Sequence, residues 1–294
     1  GGAPYGNILM PNLGAGISEN PTITYSPIQG EKAVTQLQSE LRLDRFLILT
    51  RIGWGIESLM WLTVAQIGEL RNFDVPLGGG ESLDRSYGKF LELSQLLKEI
   101  QSRGDLEFVS LYKGKDGADY LTMKLHLLDE REATRVETLL GITPQRVSLP
   151  GGRFVSSIEL TSVRDLTPCA SEKGNCARIP IKLKSFFEML LDLALYVDVP
   201  AEEQLKQIAR PFIKPSAGEI TTRKGLHSGL IKVRHQWTEP GDAYVAVPYR
   251  GRWFYIADDD LPSKAYLMLA GSIFSLQSGD LQTAAPVLTL PVGR

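Results

Sequence analysis

Histidine and cysteine are scarce in this chain of 294 residues, which carries three of the first and two of the second. His126, His227 and His235 belong to no HExxH, HxH or mixed His/Cys spacing, so they offer no recognisable zinc site. A GxSxG nucleophile elbow is missing, and Ser263 and Lys264 are adjacent instead of separated by two residues as in serine–lysine enzymes. The glycine run at 78–80 has neither a GK[ST] sequel nor a strong strand before it, so it does not read as a phosphate cradle. Long apolar runs are missing too. The stretch 186–197 is interrupted by Glu188 and Asp192 and is too short to cross a bilayer as a helix. Charge of one sign is not in excess: 32 basic against 34 acidic residues leave a net −2. That balance predicts no general attraction to nucleic acid or anionic lipid.

The two cysteines are the first positive signal. "TPCASEKGNCARIP" sets Cys169 and Cys176 at the ends of a short polar loop containing Gly174 and Asn175. Such a loop brings two Cβ atoms within disulfide reach, and closing it is worth roughly 2–3 kcal/mol on the chain-entropy argument. The pair is expected to be a disulfide, which points to an oxidising compartment. The chain opens on "GGAPYGNILMPNLGAG", a Gly- and Pro-rich lead without helical or strand period. Residues 1–20 read as a flexible arm whose Ile8, Leu9, Met10, Leu13 and Ile17 suit it to docking on a partner.

Periodicity then sets the class. "PTITYSP" at 21–27 alternates as a short strand. Val34, Leu37 and Leu41, then Phe46, Leu49 and Ile52, recur at helical spacing, and a third helix is expected from Ile56 through Ile67. A fourth helix is expected over 87–103. "LEFVSLYKGKDGADYLTMKLHLL" reads as a hairpin, 130–140 as a helix and 153–161 as a strand. An apolar helix is expected over 181–197. Strands at 231–237, 243–249 and 252–256 form a β-meander, followed by a helix at 263–276 and a strand in "PVLTLPV". Short turns between neighbouring strands force antiparallel pairing, so the class is α+β with a largely antiparallel sheet. The expected organisation is an arm at 1–20, a helical region at 21–74 and an α+β domain at 85–294. The break falls within 74–84, unless the whole is one domain.

Two clusters could carry chemistry. Asp258, Asp259 and Asp260 are contiguous, lacking the alternate spacing of a calcium loop and its distal Glu. Asp259 or Asp260 instead fits the N-cap of a helix starting at Leu261–Pro262. Lys232, Arg234 and Trp237, with Arg250, Arg252, Trp253 and Tyr255, place basic and aromatic residues on neighbouring strands. They form a candidate face for a ligand or single-stranded nucleic acid. A hydrolase using His227 with Asp242 or Glu239 has no spacing to support it.

The stretches "PTITYSPIQGEKAVTQL…LTRIGWGIESLMWLTVAQIGELRN" and "DAYVAVPYRGRWFYIADDDLPSKAYLMLAGSIFSLQSGD…APVLTLPVG" resemble a family of uncharacterised bacterial predicted lipoproteins. They frame nearly the whole chain, while the middle third matches loosely. The resemblance implies secretion to the bacterial periplasm or outer-membrane surface, with membrane association through sequence upstream of residue 1. It brings no catalytic residues. The expectation is a non-enzymatic envelope protein, without cofactor, that works through contacts with other envelope proteins as a homo- or hetero-oligomer.

Overall fold

The computed structural model describes residues 31–72, 85–115, 117–142, 146–162, 177–194, 196–200, 202 and 231–282. The arm at 1–20, the strand at 21–27, Cys169, Cys176, His227 and the final "PVLTLPV" lie outside them. The class is α+β.

The first helices fall where the periods put them, although Val34 and Ile52 are exposed and Leu41 lies beyond the end of the first helix. α1 (Glu31–Gln38), α2 (Leu43–Arg51) and α3 (Ile56–Thr63) come first, with Phe46, Leu49, Ile56 and Leu59 buried. The third helix stops four residues short of Ile67. Residues Val64–Ile67 form strand β1, which turns at Gly68 into β2 (Leu70–Arg71) and pairs antiparallel with β7 (Ala177–Leu183). Val64 and Ile67, three positions apart, continue the helical spacing, but pairing to a distant strand overrides it, with a register shift between Val64 and Gln66. Asn72 and Lys184 hold the junction: Asn72 Nδ2 donates to the carbonyls of Trp61 and Val64, and Lys184 Nζ to that of Trp61. These carbonyls sit at the open C-terminal end of α3, where no helical N–H reaches them.

α4 (Arg85–Ser102) buries Phe90, Leu93, Leu97 and Ile100. β3 (Leu106–Lys113) and β4 (Asp119–Leu127) make the expected hairpin. α5 (Glu130–Leu140) starts on a reciprocal cap. Asp129 Oδ1 accepts from Glu132 N, and Glu132 Oε2 accepts from Leu128 N. It ends at Gly141, whose φ of 66° is left-handed and suits glycine. β5 (Arg146–Ser148) and β6 (Phe154–Thr161) follow.

The region read as a helix over 181–197 is divided. Its first residues complete β7, and α6 (Phe186–Ala194) is helical. "RIPIKL" alternates buried with less buried positions, and the unbroken apolar run beyond it masks the change of period.

These strands form one sheet in the order β2-β1-β7-β6-β4-β3, with β5 on β6. The β6–β7 pair is parallel and the others antiparallel. One face carries Leu121, Met123, Leu125, Ile158, Leu160 and Ile179 into a core shared with the helices on both sides of residues 74–84. The other carries Tyr120, Thr122, Lys124, Glu159 and Arg178, by strand alternation.

A second, three-stranded sheet holds β8 (Arg234–Gln236), β9 (Ala243–Tyr249) and β10 (Arg252–Ala257). The meander expectation needs correction, because β10 lies in the middle and β8 pairs with it and not with β9. Arg250 and Gly251, at φ of 51° and 75°, make the tight turn that commits β9 to β10. The far edge of β10 is then left for β8. α7 (Leu261–Gln282) follows, with Leu269, Ala270 and Ile273 buried in the main core.

Candidate functional site

The seven basic and aromatic candidates fall in and around the small sheet, on both of its faces. Register pairs Tyr255 with Arg234 and Trp253 with Gln236, so Arg234, Trp253 and Tyr255 share one face. Arg252 points to the other face. There its guanidinium lies 3.5 Å from the Trp237 ring centroid and pairs with Glu202 at 2.9 Å. Arg252 is buried, so its charge is committed to these two partners. Arg250 sits in the turn, 5.4 Å from the Tyr249 ring. Lys232 precedes β8, and its backbone N–H donates to Ser263 Oγ at 2.8 Å.

The three acids divide their work. Asp260 Oδ1 accepts from Ser263 N at 3.2 Å, which makes it the N-cap of α7. Asp258 Oδ1 pairs with Lys264 Nζ at 2.7 Å, one turn into that helix. Asp259 is exposed. Among the described residues, no group of three or more His, Cys, Asp and Glu could hold a metal ion.

A polar cluster on the face of the large sheet opposite the apolar core face was not legible in the sequence. Glu159 on β6 accepts from Arg178 of β7 (Nη2, 3.1 Å) and from the Tyr112 hydroxyl of β3 (2.7 Å). Arg178 lies 4.4 Å over the Tyr120 ring, and Tyr112 stacks on Tyr120 with centroids 5.3 Å apart. The Arg178 and Glu159 side chains are only 7% and 8% exposed. Burial, and then the hydrogen bond to Glu159, push the Tyr112 phenol up to about 12. It stays protonated as a donor and is unsuited to act as a base near neutral pH. The cluster clamps four strands together. The one available signal was a pair of opposite charges in adjacent strands, and it depends on knowing that β6 and β7 are neighbours.

Other charged groups are paired in the same way. Asp105 takes Arg103 at 3.2 Å and Arg153 at 2.9 Å, and Arg103 also reaches Glu132 at 2.8 Å. Burial pulls the Asp105 carboxyl up, but the hydrogen bonds from Arg103 and Arg153 outweigh it and hold it below the ordinary range. His235 Nε2 stands 3.5 Å from Asp198 Oδ2, with its ring 6.0 Å from Phe254. His126 sits on β4 opposite Val155, on the same face of the sheet as Tyr120 and Glu159. An open groove of about 790 Å³ between α4 and α5 is lined by Lys89, Glu92, Arg131 and Arg135, and Arg135 pairs with Glu92 at 2.8 Å.

No protein family, no curated protein and no solved structure matches the chain. Among the described residues, no helix is long and apolar enough to cross a membrane.

Proposed function

We propose that this chain is a non-enzymatic component of a bacterial cell-envelope assembly, acting through protein–protein contacts. The observation that carries this reading is a pair of separate, exposed apolar strips. One lies on α6, where Phe187, Leu190 and Leu191 recur at helical spacing and are all exposed. The other lies on the small sheet, where Val245, Val247 and Tyr249 follow one another on one face of β9, beside Trp237. Trp237 is 63% exposed, Val247 56% and Tyr249 55%. Ordered apolar rows of this kind carry a hydration cost that a protein partner removes.

The envelope location rests on the resemblance to bacterial lipoproteins and on the Cys169–Cys176 spacing. Mass spectrometry of unreduced, alkylated protein tests the spacing argument, and two alkylated thiols would remove that support. The assembly itself is tested by the native mass of the protein extracted from its source membranes. Leu190→Glu should release the chain from a large complex without unfolding it, since the side chain is exposed. A chain that is monomeric in the native extract would refute the reading.

Arg234 beside Trp253 and Tyr255 supports a second reading, as a binding module for a ligand or single-stranded nucleic acid. Oligonucleotide binding that falls steeply with salt, and is lost in Arg234→Ala, would favour it.

A further inference from the structure

We infer that the β9 strip is a two-fold interface on which a second copy of this chain packs its own small sheet face to face. The inference rests on the reading of the chain as an assembly component. It gives one of the two strips its partner.

The edge of β9 is poorly suited to accept another strand. The turn at Arg250–Gly251 makes Tyr249 and Arg252 the closing hydrogen-bonded pair, so Val247 and Val245 also bond towards β10. Ala246 and Pro248 therefore turn their backbone outward, and Pro248 has no N–H to offer. Further along, the ladder steps over Tyr244 in a bulge. Proline and a bulge both blunt an edge against strand addition. What remains open is the face.

On that face Val245, Val247 and Tyr249 form one row, with Phe254 and His235 on the strands beside it. Trp237 lies over Arg252 at the turn end. The exposed side chains amount to roughly 400 Å² per copy, within the range of the largest apolar patch a monomer leaves bare, and about 800 Å² when doubled, which is the size of a weak, transient contact and below that of a standard interface.

Charge selects a second copy as the occupant. The strand pair is polar along its length, with exposed Arg250 at the turn and exposed Asp242 and Asp259 at the opposite end. A two-fold axis between two such sheets, perpendicular to the strands, reverses their direction. It lays the Arg250 end of one copy over the Asp242 end of the other, twice by symmetry. The two inner faces then stack about 10 Å apart, as in a β-sandwich.

The experiment is sedimentation equilibrium of the purified chain over a broad concentration range, with circular dichroism to show that each variant is folded. The wild type should dimerise with Kd on the order of 10 µM. Val247→Lys, in the middle of the row, should abolish dimerisation. Arg250→Asp and Asp242→Arg should each raise Kd about tenfold by setting like charges opposite each other. An equimolar mixture of the two should recover the wild-type affinity, because the mixed dimer has opposite charges at both contacts. Asp tolerates the left-handed conformation of residue 250, so the turn is retained. A monomeric wild type would overturn the inference, and so would a dimer indifferent to Val247→Lys or a mixture that recovers nothing. A monomeric purified chain found in a large native complex would overturn the two-fold contact alone and leave the assembly reading standing.

Discussion

Arg178→Met is the sharpest test of the clamp on the large sheet. The substitution keeps much of the volume of the side chain and removes its charge. Glu159 is then left as a buried carboxylate whose remaining partner in the cluster is the Tyr112 hydroxyl at 2.7 Å. Breaking one side of a buried ion pair costs about 3–5 kcal/mol, because the orphaned charge keeps its desolvation penalty. The loss of the guanidinium over Tyr120 adds about 0.5–2 kcal/mol. Glu159→Leu combined with Arg178→Met removes both charges and should recover most of the loss, since neither desolvation penalty remains. Tyr112→Phe deletes one hydrogen bond to a charged acceptor and should cost about 1.5–3 kcal/mol. The assay is urea unfolding followed by circular dichroism, with the double-mutant cycle read at constant m-value. Arg178→Met costing under 1 kcal/mol, or a double mutant no more stable than the single, would refute the argument.

Other outcomes are specific enough to check by the same unfolding assay. Asp260→Ala should cost about 0.5–2 kcal/mol through loss of the α7 cap, whereas Asp259→Asn should stay within about 0.5 kcal/mol. Asn72→Ala should cost about 2–3 kcal/mol, because it strips donors from buried carbonyls at the end of α3. Asp105 has a lowered folded pKa against an ordinary value of 3.8, so its stabilisation is present above that value. It is lost as pH falls below about 3.8 through the folded value, where protonation favours the unfolded chain. Arg103→Ala together with Arg153→Ala should remove that loss and flatten the acid limb, since only burial then acts on Asp105 and it raises the pKa; an unchanged acid limb would count against the pairing.

What the sequence determined by itself is what short-range physics controls. α5 starts at Asp129 and stops at Gly141 because a side chain three residues upstream and a left-handed glycine settle its ends. The β3–β4 hairpin and the start of α7 after the Asp259–Asp260 pair follow from turn and cap chemistry within a few positions, and the structure assigns the cap to Asp260. The α+β class follows from the same local signals. Only the tertiary structure decided that Val64–Ile67 is a strand, since its apolar residues continue the helical spacing of α3 and pairing with β7 overrides it. Ala177–Leu183 alternates as a strand does, but the apolar run after it hides where the period changes. It also set β10 between β8 and β9, through a two-residue turn that occupies one edge and leaves the other for the earlier strand. Glu159 and Arg178 meet because β6 and β7 run parallel and in register. A parallel pair needs a long connection, so no local spacing announces it.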